Sequence, residues 1–455
     1  MQVSEAKGVH ISLFNPNLFI HYPNNIHKML DINIIRNDYG LVKANLEKRQ
    51  DPALIIRLDE AVKLDRQWKH IKAQLDELRR RSNIISQQIN SLMKEKKKQE
   101  AEKLIAEMKS LPKLIADEEE KEKTLAAELK EKLMRIPNLL HDSVPFGKDD
   151  SENKVVRKWG EPRKFNFELK PHGELIESLN GGDFAKAAEV SGNGFYYLMG
   201  DVALLEMAIQ RFAIDVLTKK GYTLVTPPYM IRKRPYEGVT DLGDFETMMY
   251  KIEGEDLYLI ATSEHPLVAL FLDETIDESK LPIKLVGFSP CFRKEIGSSG
   301  VDTKGVFRVH QFNKVEQVII CRPEDSWKLH EELIANSEEL MKALEIPYQV
   351  VNICTGDIGI VAAKKYDIEC WVPRENKYRE IVSCSNCTSY QAVRSNMKYK
   401  KGSEKMYPHT LNSTALPTSS RALRAILENY QNEDGSVTVP DVLVSYMNGK
   451  KLIKP

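Results

Sequence analysis

The chain has 455 residues, of which 42% are hydrophobic and 29% charged, with 66 basic side chains balanced by 66 acidic ones. That length is too great for one ordinary core and implies two or three domains of a globular protein. The zero formal charge argues against a non-specific nucleic-acid coat, while a basic patch on one domain stays open. Six cysteines in so long a chain do not make a disulfide framework, which points to a reducing cytoplasm. No apolar run approaches the roughly 20 residues that cross a bilayer. The N-terminus lacks the basic and then apolar pattern of a signal peptide, so no membrane contact is expected.

Residues 1–28 are rich in Asn, His and Pro and show no sustained period. Met29 then opens MLDINIIRNDYG, where the natural domain is expected to start, with an ordered N-terminal arm as the other reading. From about residue 54 to 93 the pattern turns helical. Leu64, Trp68, Ile71, Leu75, Leu78, Ser82, Ile85, Ile89 and Leu92 follow alternating steps of four and three, an a/d seam with charges on the other faces. After the charged patch 94-KEKKKQE-100, a second seam runs through Leu104, Met108, Leu111, Ile115, Leu125, Leu129 and Ile136. Pro112 should kink it, and Glu118 and Glu122 weaken it. The short connection makes the two helices antiparallel neighbours, each extending roughly 55–65 Å. Such a hairpin is too thin to bury its own core. A reader of a distant partner and a dimerising or scaffold coiled coil both fit this region taken alone.

At 137–153 (PNLLHDSVPFGKDDSEN) the composition shifts to that of a linker. The expected division is therefore an extension over 1–28, a helical-arm domain over 29–137, a linker over 138–160 and a second domain over 161–455. In that last part a long amphipathic helix near 200–220 ends at Gly221 and leads into a strand ending at Pro227-Pro228. Residues 255–272, 283–295, 306–320, 348–353 and 378–384 read as strands, and 324–346 and 419–431 as helices. The strands pair mostly as hairpins, which makes the fold class α+β: a mainly antiparallel sheet flanked by helices, preceded by the antiparallel coiled-coil hairpin.

The chemistry concentrates in 291-CFRKEIGSSGVDTKGVFRVHQFNKVE-316. Alternation on its second strand puts Arg308, His310, Phe312, Lys314 and Glu316 on one face, and Arg293 and Glu295 share a face of the first. A guanidinium matches a phosphate with paired donors, an aromatic face stacks on a flat heterocycle, and a carboxylate holds an ammonium. The ladder therefore suits an extended ligand that is anionic at one end and cationic at the other, and the polar loop 296–305 could close over it. An exposed face of salt-bridged strands is the plainer reading. Neither a G-x-x-x-x-G-K-[ST] loop nor a G-x-G-x-x-G turn after a strand occurs, so ATP, if bound, would be held by arginines on a sheet.

FRKE…GVFRVHQFNKVEQ resembles motif 2 of class II aminoacyl-tRNA synthetases, NSTALPTSSRALRAILENYQ resembles motif 3, and the helix and strand ending in Pro227-Pro228 resemble motif 1, the dimer element. TSEHPL at 262–267, REIVSCSNC at 379–387 and the coiled-coil hairpin are similar to the seryl-tRNA synthetase branch. The resemblance covers residues 29 to about 445. It implies that Arg293 clamps the α-phosphate and carboxylate, Arg308 and Arg421 contact phosphates, Phe312 stacks on adenine, and Glu295 lies on the nucleotide with Lys294, Val309, Ile381 and Val382 alongside. It implies that Glu380, with Ser383, holds an ATP-bound Mg2+, and that Arg293, Glu380 and Arg421 are the catalytic set. It places serine between Glu316, which would bind the ammonium, Thr262, Ser263, Glu264, Asn412 and Thr414.

The implied activity is activation of serine by ATP to seryl-adenylate and transfer of the seryl group to the 3′ end of tRNA(Ser), and of tRNA(Sec) where a cell has one. The implied assembly is a cytoplasmic homodimer whose arm grips the tRNA variable arm, with Arg79, Arg80, Arg81, Lys94, Lys96, Lys97 and Lys98 as the phosphate contacts. Between Asn412 and Arg421 the chain carries one residue more than the family pattern. The pair Cys384–Cys387 invites a zinc reading, but without a second spaced pair buried thiols are the expectation. A ligase that loads a carrier protein would have no variable arm to grip. A non-catalytic coiled-coil adaptor would have no reason to hold Arg293, Glu316, Glu380 and Arg421 together.

Overall fold

The computed structural model describes residues 32–241, 246–295 and 305–455. The expected extension over 1–28 and all of the loop 296–305 except Gly305 lie outside the described residues.

Two long helices, α1 (Pro52–Lys94) and α2 (Lys98–Met134), form the hairpin. Asp51 accepts from the Ala53 N–H and Pro52 supplies the first helical φ, so the start of α1 is written locally. The turn between the helices places Lys96 at φ 62°. Every expected a/d residue of α1 is buried or half-buried, with Leu75 and Ile85 nearly inaccessible. Of the two glutamates expected to weaken the α2 seam, Glu122 accepts from Trp68 Nε1 at 2.7 Å, which makes that position a cross-helix contact. The expected kink at Pro112 is not a break: α2 runs through it without interruption, and the proline is exposed. At the root, Asp65 is buried against Arg36, with Nε–Oδ2 at 3.0 Å and Nη2–Oδ1 at 2.5 Å.

The second body is built on an eight-stranded sheet. Numbered along the chain its strands are β1 (Lys154–Trp159), β2 (Thr223–Val225), β3 (Ile283–Phe292), β4 (Gln311–Cys321), β5 (Tyr348–Asn352), β6 (Lys364–Val372), β7 (Lys377–Asn386) and β8 (His409–Leu416). The spatial order is β1-β5-β6-β7-β8-β4-β3-β2, antiparallel throughout except for β2 against β3. Residues 138–160, expected as a linker, are therefore not a bare tether, since β1 forms the sheet edge against β5. The expected strand over 255–272 is reduced to Tyr258–Leu259. The chain then turns into helix α4 (Glu264–Ala269), because Pro266 fits a first helical turn and not a ladder. It follows α3 (Gly200–Lys219) and precedes α5 (Ser326–Ala343), α6 (Tyr390–Arg394) and α7 (Leu423–Tyr430).

Alternation divides the sheet residues between two cores. Val286, Val315 and Ile319 join Leu205, Leu333 and Ile426 of α3, α5 and α7. Leu285, Val318 and Ile320 join Leu267 and Val268 of α4 and Ala392 of α6. A Cβ on Gly287 would lie 2.7 Å from Leu267 Cδ1, so glycine there lets α4 sit close to the sheet.

The arm is fastened to this body at α6. Arg394 Nη2 donates to the carbonyls of Leu133, Met134 and Ile136, capping the free end of α2. Asn138 Nδ2 reaches Val361 O and Cys387 O, each at 2.8 Å.

Candidate functional site

A cleft of about 600 Å³ opens beside β4, β7 and β8, a size that suits a small-molecule or nucleotide ligand. On β4 the expected alternation holds for Phe312, Lys314 and Glu316, all of which line it. Arg308 and His310 fall before the strand begins, so the straight charge ladder is corrected: the chain bends through 305–310 and enters β4 only at Gln311. Arg308 still reaches the cleft. His310 instead braces the approach, with Nδ1 3.0 Å from Arg293 O and its ring stacked on Phe195 at 5.3 Å.

One end of the cleft is a set of cations and aromatics. The Arg293 guanidinium lies 5.2 Å from the Phe312 ring centre, and its Nε donates to Ala261 O at 3.4 Å. Arg421 pairs with Glu380 at 3.0 Å and lies 5.8 Å from the Phe307 ring. Desolvation in the cleft would push the Glu380 carboxyl up, but Arg421, Lys365 and Arg293 hold it below the usual range. Regular alternation would put Glu380 and Ser383 on opposite faces of β7. A bulge at Ile381, where Ile368 faces Val382 but Glu369 faces Glu380, resets the register. Glu380, Ile381, Ser383 and Ser385 all line the cleft as a result.

The other end is acidic and crowded with hydrogen bonds. Glu316 pairs with Lys314 at 2.6 Å, both side chains under a tenth exposed, and accepts from Thr414 Oγ1 at 3.3 Å. Glu264 Oε1 accepts from Gln391 Nε2 at 2.8 Å and from Asn412 Nδ2 at 3.0 Å. Desolvation first, and then the charge of Glu316, push the Glu264 carboxyl up to about 7, against the pull of Gln391, Lys314 and Arg293. Two irregularities shape the chain between Asn412 and Arg421. Ala415 is the extra residue of a bulge between Thr414 and Leu416, and Thr418–Ala422 makes a widened π-helical turn that contains Arg421.

Arg293, Glu295, Arg308, Val309, Phe312, Glu380, Ile381, Ser383 and Arg421 thus share the cleft with Thr262, Glu264, Glu316, Asn412 and Thr414. Lys294, Ser263 and Val382 do not line it. Lys294 turns its ammonium toward the Tyr250 ring at 5.8 Å, Ser263 is fully buried beneath α4 near Gly287, and Val382 is thrown into the opposite core by the bulge. Cys384 lies in that same core, whereas Cys387 lines the cleft and accepts from Asn412 Nδ2 at 3.4 Å, so the two thiols face different surroundings.

The seven basic arm residues lie on the hairpin, away from the cleft-lining residues. Arg79 pairs with Glu119, Arg80 with Glu77 and Arg81 with Glu107, all in water. Lys97 pairs with Glu95, and Lys94, Lys96 and Lys98 stand exposed at the tip.

Three participants have no place in the expected site. Lys365 and Asp367, paired at 3.1 Å, stand on β6 opposite Ser385 and Ser383. Their signal was present: a lysine and an aspartate spaced by two on either side of Tyr366. Burial pushes the Asp367 carboxyl up to about 7 despite Lys365. Gln391, fully buried on α6, left no signal, since nothing local distinguishes it from a surface glutamine.

Two family models match the chain: the seryl-tRNA synthetase N-terminal domain over residues 29–140, and the class II tRNA synthetase core domain (G, H, P, S and T) over 247–430. The chain is 55% identical over 428 residues to a serine–tRNA ligase of Methanoregula boonei, covering 93% of this chain and all of that one. The crystal structure of seryl-tRNA synthetase from Pyrococcus horikoshii complexed with ATP superposes with a TM-score of 0.87 at 46% identity, covering 93% of this chain and 99% of that one. A cytoplasmic serine–tRNA ligase from Naegleria fowleri in complex with AMP gives 0.82 at 39% identity, covering 94% and 99%.

Proposed function

The chain belongs to the seryl-tRNA synthetase family of class II ligases, and on that premise we propose how its own residues divide the two steps of serine activation and transfer. The observation that carries the assignment is a single cleft with arginines at one end and two carboxylates at the other. The serine carboxylate attacks the α-phosphorus of ATP and pyrophosphate leaves. A ribose hydroxyl at the tRNA 3′ end then attacks the adenylate carbonyl and AMP leaves.

Phe312 stacks on the adenine, with Arg293 beside it to clamp the α-phosphate and the attacking carboxylate, a placement supported by their 5.2 Å approach. Arg308 and Arg421 take the outer phosphates. These cations are fixed before reaction, so charge growing on the phosphates is met without reorganisation. Glu380 and Ser383 are hard oxygen donors on one cleft wall, which suits Mg2+, an ion held by one or two carboxylates together with substrate phosphates. Bound there, Mg2+ would neutralise phosphate charge.

Glu316 and Glu264 hold the serine ammonium. Serine's charge enters a site where Lys314 already answers Glu316, so binding must redistribute that pair. Thr262, Asn412 and Thr414 offer partners to the serine hydroxyl. Alanine would leave them unpaired, which rejects it strongly, while pocket volume excludes threonine.

The arm carries tRNA(Ser) through its long variable arm and would do the same for tRNA(Sec), and its exposed tip lysines support phosphate contact. We assign residues 29–137 to tRNA binding and 161–455 to catalysis. A homodimer is supported by apolar side chains left exposed on α3 and β2: Leu204 at 41%, Met207 at 61% and Leu224 at 45%. Among the described residues no helix is long and apolar enough to cross a membrane. Six free, buried cysteines support the proposed cytoplasmic setting.

The test is pyrophosphate exchange into ATP with each of the twenty amino acids supplied separately, without tRNA. Exchange with serine alone is expected. Exchange with another amino acid would overturn the pocket assignment.

A further inference from the structure

Behind the cleft lies a buried chain of groups that none of the assignments above uses. His172 and Glu428 are fully buried and Arg424 is 1% exposed. The Val306 N–H donates to His172 Nε2 at 3.2 Å. Nε2 must therefore carry a lone pair, which leaves the ring proton on Nδ1, 3.1 Å from Glu428 Oε1. Glu428 Oε1 also accepts from Arg424 Nε at 3.0 Å. Desolvation would push the Glu428 carboxyl up, but His172 and Arg424 hold it below the usual range, so it remains an acceptor. The Arg424 guanidinium in turn lies 4.3 Å from the Phe307 ring, the same ring that Arg421 approaches at 5.8 Å.

The segment held in this way is 305–307, which leads directly into Arg308. Gly305 completes the fit. Its φ is +128°, and a Cβ there would stand 2.2 Å from His172 Nε2. The chain can pass only because position 305 has no side chain, and it passes in contact with the imidazole.

We propose that His172 is a positioning residue for adenylate formation: as the neutral Nδ1–H tautomer it sets, through the Val306 N–H, where the chain re-enters the cleft and so where Arg308 meets the ATP phosphates. This rests on the reading of Arg308 as an ATP contact. Glu428 fixes the tautomer, and Arg424 supports both Glu428 and the Phe307 ring.

The test is serine-dependent pyrophosphate exchange by the full chain, with ATP and serine titrated separately. His172→Phe keeps a ring and removes both hydrogen bonds. Its KM for ATP should rise about tenfold, the scale of one lost hydrogen bond, with the KM for serine within about twofold. His172→Gln, whose amide oxygen can accept from Val306, should recover most of the loss. Gly305→Ala presses on the same contact from the loop side and leaves the His172 side chain itself unchanged. It should reproduce the ATP-specific rise and decides the matter if His172→Phe does not fold. Arg308→Ala separates the two levels of argument. A rise in its ATP KM with none in His172→Phe and Gly305→Ala overturns the anchor. No rise in Arg308→Ala overturns the ATP contact, and the anchor with it. Equal rises for ATP and serine, with a lowered melting temperature, would make His172 structural only and also overturn the proposal.

Discussion

Along the arm, Arg79, Arg80 and Arg81 meet their glutamates in water, and Asp65 is the one charged residue of α1 that is buried. Around the cleft the charges are drawn inside: Lys314 and Glu316 pair at 8% and 2% side-chain exposure, and Asp367 and Glu264 are desolvated far enough to resist ionisation. Exposed pairs each contribute little and exchange partners readily, which suits the phosphate contacts proposed for the arm. Desolvated groups are costly to separate from their partners and are held in place, which suits a site where geometry sets the rate. The difference teaches that one chain can carry two kinds of charged surface, one solvated and exchangeable, the other desolvated and fixed.

The sharpest way to break that comparison is to remove one side of it. Replacing residues 65–130 by a short glycine-rich bridge should abolish tRNA charging while leaving serine-dependent pyrophosphate exchange near its original rate. The bridge is feasible because Glu60 and Lys132 already pair at 2.7 Å across the two helices. Loss of exchange in that variant, measured on folded protein, would show that the regions are not independent.

Next in size, Glu316→Ala leaves Lys314 without its partner and removes an ammonium acceptor. Serine activation should fall by a factor of about a hundred or more while ATP still binds, read by exchange kinetics and by nucleotide titration.

A smaller effect follows from Glu264. Its carboxyl is raised from the ordinary 4.5 of a glutamate to about 7. The serine ammonium favours the ionised form, so serine affinity should weaken as pH falls below about 7, by up to about tenfold per pH unit. In the empty protein the sign is opposite for stability. The folded state binds more protons than the unfolded one between 4.5 and about 7, so this group makes stability fall as pH rises through that window. Glu264→Gln should flatten both profiles, and an unchanged serine profile would remove Glu264 from the ammonium site.

The smallest effects belong to the arm. Arg79→Ala, Arg80→Ala and Arg81→Ala should each raise the KM for tRNA only about twofold and lower the salt slope of tRNA binding by about one. A tenfold change from any one of them would mean a specific contact, contrary to the solvated character of their pairs.

Much of the arm was legible because its information is local. A 3.5-residue repeat states which face is buried, and Asp51-Pro52 states where α1 begins. What escaped there was non-local: the Trp68–Glu122 contact joins residues 54 positions apart, and it turns a weak seam position into a cross-link. In the second body, alternation correctly grouped Phe312, Lys314 and Glu316. It failed for Arg308 and His310, which it grouped on the same strand, because the chain bends through 305–310 and enters β4 only at Gln311.

By itself, the amino-acid sequence determined the helical hairpin, the mainly antiparallel sheet and the residue types that can meet phosphate, adenine and ammonium, since each follows from periodicity or from side-chain chemistry. Only the tertiary structure decided that Glu380 and Ser383 face one cleft, that Gln391 holds Glu264, and that His172 holds Val306 across 134 positions. Those outcomes depend on strand register and on contacts between distant segments, and the free energy that selects them comes from burying the whole sheet, not from any stretch of chain read alone.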